Sequence, residues 1–167
     1  MSDDRIISTL SAPAWLPDGA QADVVLAGDG GTAPAPTCVV RLLLTRAGQV
    51  LTVPRPDGRG VDLPSAVVRD GAVADALDVL VARFLGPGRA VRLLGYVRNV
   101  VAAATADYPW PAPLAHFTVW HAHLAPDEDA PADADDRAGW VDLADADAHL
   151  GHRHWWPLSA HAAGPRR

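Results

Sequence analysis

The sequence predicts an α+β fold, an α/β/α sandwich in which helices cover both faces of a mixed sheet. Three observations predict this architecture. Runs of aliphatic and β-branched residues mark several strands, one amphipathic helix lies among them, and a second helical segment follows the last strand. A length of 167 residues suits a single hydrophobic core.

The strands are predicted from runs of residues that favour extended backbone. The segment "TCVVRLLLT", 37–45, is filled with β-branched and aliphatic side chains. The turn "RAGQ" and the return "VLTVP" complete a hairpin with it. Further strands are predicted at 90–101 and 114–124, and a short closing strand is predicted in "GWVDL".

The helices are predicted from apolar spacing. From Val73 to Phe84 apolar residues recur at i, i+3, i+4 and i+7, which is typical of a helix with one buried face. The following Gly-Pro-Gly, 86–88, ends that helix. A helical turn follows "GWVDL", and the tryptophans of "HRHWWPLSAHA" are expected to pack a last helix onto the core.

The expected domain organisation has three parts. Residues 1–36 form an N-terminal arm, irregular over 1–21 and laid on the core through Trp15, with a first short strand near 24–26. Residues 37–160 form the folded domain, and 161–167 form a C-terminal tail. Within the domain the acidic stretch 125–136 contains two prolines and no large apolar residue, so it is expected to be a solvated or disordered loop.

Composition excludes several classes of function. A net charge of −6 argues against a nucleic-acid-binding surface. No apolar run approaches the roughly 18 residues of a membrane span, and no signal peptide is evident. A cytoplasmic protein is expected, and the Ala, Arg and Asp bias suggests a bacterial genome rich in GC. The single cysteine, Cys38, excludes an intramolecular disulfide and is expected to be a buried thiol.

The stretch 63–86 resembles the motif of the Nudix family, whose members hydrolyse nucleoside diphosphates linked to another group. "LPSAVVRDG" keeps the Leu-Pro entry, the valine and the later glycine of the family's loop. "ALDVLVARFLG" keeps the alanine, the apolar face and the terminal glycine of its helix. The resemblance covers roughly 37–158 and implies a Nudix-like α/β/α sandwich.

The departures from this motif concentrate on its acids. The family's helix core, R-E-U-x-E-E, falls on Val79, Leu80, Val81, Ala82, Arg83 and Phe84, and the glutamate of its loop falls on Arg69. The family's Mg²⁺ needs oxygen ligands on one helix face, and these side chains offer none. We therefore expect no catalytic residue, no metal site and no cofactor, with the apolar replacements packed into the core.

Two rebuilt metal sites are weaker alternatives. Asp75 and Asp78 lie one turn apart on the predicted helix, with Asp62 or Asp70 in the preceding loop. Solvated carboxylates on an amphipathic helix have the same spacing. The histidine pairs at 121 and 123 and at 152 and 154 could supply zinc ligands, but three or four would have to converge.

Candidate ligand-binding residues follow from the strands that would border a cleft. In Nudix proteins a basic residue often follows the second hairpin strand, near the substrate phosphates, and here that residue is Arg55. Arg41, Arg98 and Asn99 lie on predicted strands that could border the same cleft, and arginine suits anionic ligands. The expected partner is a nucleotide-like or other anionic small molecule; a homodimer stays open. Four aromatic residues could stack on a ligand or simply pack: Tyr108, Trp110, Trp120 and Trp140.

Together these observations predict a Nudix-fold protein with a degenerate box. It would bind a ligand or a protein partner and lack standard Mg²⁺-dependent hydrolysis of nucleoside diphosphates. The alternative is an active Nudix hydrolase that acts on a nucleoside diphosphate derivative through a rebuilt metal site.

Overall fold

The computed structural model describes residues 3–162, which form one nine-stranded mixed sheet. The main strand order is β1-β2-β7-β8-β3-β4-β5, while β6 pairs with β3 and β9 pairs with β4. Only the β3 and β8 pairing is parallel. The strands are β1 (Arg5–Ser11), β2 (Gln21–Leu26), β3 (Thr37–Arg46), β4 (Gln49–Pro54), β5 (Val61–Asp62), β6 (Ser65–Val67), β7 (Arg92–Val100), β8 (Leu114–Leu124) and β9 (Gly139–Asp142).

Helices cover both faces of this sheet. Helix α1 (Val73–Phe84) packs on one face, and α2 (Leu143–Leu150) packs on the other face with the 3₁₀ helix Trp156–His161. Asp75 in the first turn and Arg83 in the last turn of α1 complement the helix dipole. None of the helices within residues 3–162 is long and apolar enough to cross a membrane.

Strand β3 separates two hydrophobic cores. Because side chains alternate across a strand, Leu42 and Leu44 join the core beneath α1, while Val39 and Leu43 join the core beneath α2. Trp155 is fully buried in the α2 core. The α/β/α sandwich expected from the sequence is confirmed, as are the hairpin, helix α1, strands β7 and β8, the closing strand and α2.

The N-terminal arm differs from its expected irregular form. Residues 5–11 form β1, which pairs with a longer β2 than expected, and β2 pairs with β7. The strands of the N-terminal arm, residues 1–36, therefore belong to the same sheet as the strands of the folded domain. A register shift between Ile6 and Ser8 breaks the alternation by which a strand is recognised in a sequence. The C-terminal 3₁₀ helix extends to His161, and residues 163–167 of the expected tail lie outside the described residues.

The loop expected at 125–136 is largely solvated, with eight of its twelve residues exposed, but the expectation that it could be disordered is wrong. This segment, called the acidic loop below, contains the 3₁₀ helix Pro131–Ala134 and packs against α1. Ala130 and Ala132 are buried in the core beneath α1. Three of its acids, Glu128, Asp133 and Asp135, pair with arginines elsewhere in the fold, which offsets part of the repulsion among the acids.

Candidate ligand cleft

The face of α1 that the Nudix resemblance assigns to Mg²⁺ carries no suitable ligands. Leu80 and Phe84 are only 4% and 2% exposed and pack into the core. Arg83 pairs with Asp135 at 2.9 Å, and its guanidinium lies 4.7 Å from the Phe84 ring centre. Magnesium prefers oxygen ligands, which neither apolar side chain can supply. The residues present therefore do not fit this ion.

The acidic loop packs over part of this helix. Asp133 accepts two hydrogen bonds from Arg46, at 2.6 and 2.8 Å, and one from the Trp140 indole at 3.1 Å. The Arg46 guanidinium lies 4.2 Å from the Trp140 ring centre. A depression of about 190 Å³ remains beside Leu80 and Phe84, and no carboxylate lines it.

The alternative carboxylates do not converge on a metal site. Asp75 and Asp78 are exposed on α1, and Asp70 is exposed in the preceding loop. Asp62 lies at β5, where it accepts a hydrogen bond from the Trp155 indole at 2.9 Å. Within residues 3–162 no three His, Cys, Asp or Glu side chains are placed to hold a metal ion.

The two histidine pairs lie in different surroundings. His121 and His123 both hydrogen-bond the Thr45 hydroxyl, at 2.9 and 3.0 Å. Burial, followed by the charges of Arg92 and His123, lowers the pKa of His121 to about 4. His152 is exposed, whereas His154 lines a cleft on the opposite face of the sheet from α1.

This cleft, called the sheet cleft below, has a volume of about 260 Å³ and lies on the α2 face of the sheet. Strands β3, β8 and β7 supply its floor, and the N-terminal arm and the loop after β7 supply walls. Its lining consists of Trp15, Leu16, Val39, Arg41, Asn99, Asp107, Tyr108, Pro109, Trp110, Phe117 and His154.

Three residues cross the floor along a diagonal. In the strand register Arg41 stands opposite Val119 of β8, and Asn99 stands opposite Ala115, so Phe117 lies midway between their levels. Two strand spacings of about 4.8 Å and four residue rises of about 3.3 Å place the Cα atoms of Arg41 and Asn99 roughly 16 Å apart. The floor thus has a cation at one end, an aromatic ring in the middle and an amide at the other end.

Arg41 is a partly buried cation without an anionic partner among the described residues. Its Nη1 atom is buried without a hydrogen-bond partner, and its guanidinium carbon lies 5.8 Å from the Phe117 ring centre. Within residues 3–162 it forms no ion pair. Burial lowers the pKa of Arg41, partly offset by the charge of Asp62, but an arginine keeps its proton at neutral pH.

Asn99 presents the opposite hydrogen-bonding character. Its Nδ2 atom donates to the Tyr108 hydroxyl at 3.3 Å. Its Oδ1 atom is buried and has no donor among the described residues. Buried amide oxygens usually accept a hydrogen bond, so this acceptor lacks the partner that such atoms normally have.

Aromatic rings form the walls. The Trp15 and His154 rings lie 4.9 Å apart, and Trp110 meets Phe117 edge-on at 5.3 Å. Burial, followed by the charges of Arg41 and nearby arginines, lowers the pKa of His154 to about 3. His154 is therefore a neutral wall of the cleft at physiological pH.

A second group of arginines lies next to Arg41. Arg55 and Arg153 approach the Asp62 carboxylate at 3.7 and 3.6 Å, which is too long for a hydrogen bond. Arg153 Nε is buried without a partner, while its Nη2 donates to the Val61 carbonyl at 2.8 Å. Near Arg41 the three arginines Arg41, Arg55 and Arg153 therefore outnumber their acidic neighbours Asp57 and Asp62.

The structure brings two of the four expected ligand-binding residues together. Arg41 and Asn99 line the sheet cleft, whereas Arg55 and Arg98 do not. Arg98 pairs at 2.9 Å with Asp23, and Arg55 pairs with Asp57.

Of the other cleft residues, sequence reasoning named Tyr108 and Trp110 as side chains that could stack on a ligand and missed the rest. It assigned Trp15 only to packing, and it gave Phe117 and His154 no role in ligand binding. The edge-on contact of Trp110 and Phe117 joins a loop to a strand, and no local pattern signals it.

Comparison with known proteins identifies the fold. No protein-family model matches the sequence, and no curated protein matches it significantly. A Bacillus subtilis pyrophosphohydrolase is similar in structure, with a TM-score of 0.50 at 12% identity over 81% of this chain and 78% of that one. The Nudix domain of NrtR from Shewanella oneidensis, complexed with ADP ribose, gives 0.50 at 14% identity over 80% and 90%. A C. elegans Ap4A hydrolase gives 0.50 at 14% identity over 74% and 95%.

These similarities and the strand order identify one fold class. The chain has the Nudix fold.

Proposed function

We propose that this protein binds an anionic small molecule in the sheet cleft and lacks the standard Mg²⁺-dependent hydrolysis of nucleoside diphosphate derivatives. The observation that carries the proposal is Arg41, a partly buried guanidinium in the lining of the sheet cleft, whose Nη1 atom has no partner among the described residues. A partly buried charge loses part of its hydration, and the acid of a ligand would offset that loss.

The charges around the cleft favour an anion. Arg55 and Arg153 lie close enough to Arg41 to affect its pKa, and His154 is neutral. Asp107 is the one carboxylate in the lining, and Asp62 is already shared between two arginines. An acidic ligand would therefore meet an excess of positive charge at one end of the cleft.

The contacts of α1 argue against the standard hydrolysis. Leu80 and Phe84 occupy positions that the family resemblance assigns to carboxylates, and both are buried in the core. A hydrolase with a rebuilt site has less support, because Asp75 and Asp78 are exposed and do not converge with a third ligand.

The structural neighbours support a small molecule as the partner. The NrtR domain is complexed with ADP ribose, and the C. elegans protein is an Ap4A hydrolase. The binding of nucleotide-like molecules by those proteins keeps a nucleotide-like ligand within the proposal, together with other small acids.

The proposal is tested by a hydrolysis assay. The protein is incubated with ADP ribose, Ap4A and common nucleoside diphosphate derivatives in Mg²⁺ or Mn²⁺, with an active Nudix hydrolase as the positive control. We expect no metal-dependent release of phosphate or nucleoside monophosphate. Turnover above about 1 per second, within the usual range for enzymes, would overturn the proposal. Loss of that turnover in Asp75→Asn or Asp78→Asn would identify a rebuilt metal site.

A further inference from the structure

We infer that the ligand of the sheet cleft is a flat acid of one or two rings, whose carboxylate or phosphate binds Arg41 and whose N–H group donates to Asn99. This inference rests on the proposed function, because it names the chemical class of the ligand bound in that cleft. In this inference, Arg41 Nη1 and Asn99 Oδ1, the two floor atoms that lack partners, bind opposite ends of one ligand molecule.

The ends of the cleft fix the polarity of the ligand. Arg41 offers only donors, so the group beside it must accept, and an anionic acceptor also neutralises the buried charge. Asn99 Oδ1 is an acceptor without a donor, while Nδ2 donates one of its two hydrogens to Tyr108. The group beside Asn99 must therefore carry an N–H or O–H hydrogen, and an amine or ring N–H meets this need.

The middle of the cleft fixes the shape. Phe117 lies on the diagonal between Arg41 and Asn99, and Trp110 stands edge-on to it. Phe117 is only 6% exposed, so a ligand would meet mainly the Trp15 and Trp110 rings, and a flat ring covers such surfaces more completely than a sugar or a branched chain does.

The volume sets the size. A cleft of about 260 Å³ is below the roughly 300 to 1,000 Å³ of sites for drug-sized ligands. It suits one or two rings with short substituents, and a complete nucleoside diphosphate derivative would extend well beyond it. The acid of such a ligand would bind Arg41, a residue of the cleft floor on the α2 face of the sheet.

Entry to the cleft requires a movement of its outer wall. Arg41 Nη1 and Asn99 Oδ1 are both closed to solvent, so a ligand reaches these two atoms only when side chains around them move. Trp15 is 46% exposed and belongs to the irregular segment between β1 and β2, so it is the wall least restrained by packing. Its ring contacts His154, and separating this pair would open the Arg41 end.

The test uses matched probes that differ by one group. 4-Aminobenzoate carries both required groups, benzoate lacks the N–H donor, and 4-aminobenzamide lacks the negative charge. 4-Aminophenyl phosphate replaces the carboxylate by a phosphate, and ADP represents a nucleotide. Binding is measured by calorimetry and by the shift in melting temperature. We expect 4-aminobenzoate or 4-aminophenyl phosphate to bind with a Kd below about 1 mM, and each incomplete probe to bind about tenfold more weakly.

Two variants assign the ends. Arg41→Met is expected to weaken binding of the acids at least about tenfold while keeping or raising the melting temperature of the ligand-free protein, because it removes a partly buried charge that has no ion-pair partner. Asn99→Leu is expected to remove the advantage of 4-aminobenzoate over benzoate while leaving benzoate binding in place. Arg137→Gln, an exposed arginine on the α1 side, is the matched control and should bind as the parent does.

The outcomes separate this inference from the proposed function. Tighter binding of ADP than of either two-group probe, with no hydrolysis, would overturn the flat acid and leave an anion-binding protein. Failure of both two-group probes to bind, or unchanged binding by Arg41→Met, would also overturn it. Metal-dependent hydrolysis in the separate assay would overturn the proposed function. A lower ligand-free melting temperature in Arg41→Met would assign that arginine a structural role and contradict the inference.

Discussion

The side chains of Phe84 and Leu80 show whether α1 is a metal-binding helix or part of a core. Phe84 is 2% exposed, so Phe84→Ala should lower the free energy of unfolding by about 3–5 kcal/mol, the usual cost of removing a buried aromatic ring. Leu80→Glu should cost at least as much, because it buries an unpaired carboxylate. Urea unfolding, with and without Mg²⁺, measures both.

The control for this prediction lies on the same helix. Val79 is 65% exposed, so Val79→Ala should change the free energy of unfolding by less than about 0.5 kcal/mol. If the Leu80→Glu variant were as stable as the parent, or were stabilised by Mg²⁺, the helix would still present this side to a metal.

His121 gives the protein a dependence of stability on pH. Its pKa is about 4 in the folded chain and near 6.5 when unfolded. Between these values the unfolded chain takes up a proton that the folded chain does not, so the free energy of unfolding should fall as the pH falls from about 6.5 to 4. His121→Gln should show a smaller fall between about pH 7 and pH 5 in urea unfolding; an unchanged fall would mean that other groups cause it.

Single residues also mark how far the candidate site could be predicted. Arg41 is conspicuous in the sequence because it interrupts an aliphatic strand, and the structure shows that its side chain is unpaired. Arg98 looked equivalent, but its partner Asp23 lies 75 residues away. Whether an arginine is paired or free depends on such distant contacts, which local sequence cannot supply.

The docking of the acidic loop through Asp133 should contribute measurably to stability. Asp133 accepts hydrogen bonds from Arg46, Trp140 and the backbone of Ala130, so Asp133→Ala should free the loop from the sheet. We expect a loss of about 1–3 kcal/mol, measured as a lower melting temperature. Asp127→Ala, an exposed carboxylate in the same loop, is the control and should have little effect. Equal effects of the two variants would indicate a loop that is not docked.

Elements with a local signal were predicted well, and those without one were not. Helix α1 follows from its apolar spacing, and strand β8 follows from a run of aromatic and β-branched residues. The docking of the acidic loop depends on Arg46 and Asp133, which are 87 residues apart. Its composition indicates disorder until those partners are known, which is why the prediction for this loop failed.

Strand β1 carries the prediction at the scale of the whole molecule. It lies at one end of the strand order and covers β2, whose residues 22–25 are at most 2% exposed. Deleting residues 1–12 should therefore lower the melting temperature and promote self-association at the new edge. Calorimetry and light scattering measure these effects. A deletion variant with the stability and the solution mass of the parent would contradict the role of β1. The solution mass of the full chain, measured by the same light scattering, shows whether the protein forms a homodimer.

The docked acidic loop also constrains how this protein can evolve. A carboxylate placed at Leu80 or Phe84 would enter a core that already contains Ala130 and Ala132 of the loop. Removing the loop first would leave Arg46 and Arg83 without their acidic partners. Each single step toward a metal-binding helix therefore lowers stability before any catalytic benefit exists. Selection that acts on one substitution at a time would therefore reject these steps, and new binding chemistry is more accessible on the opposite face of the sheet.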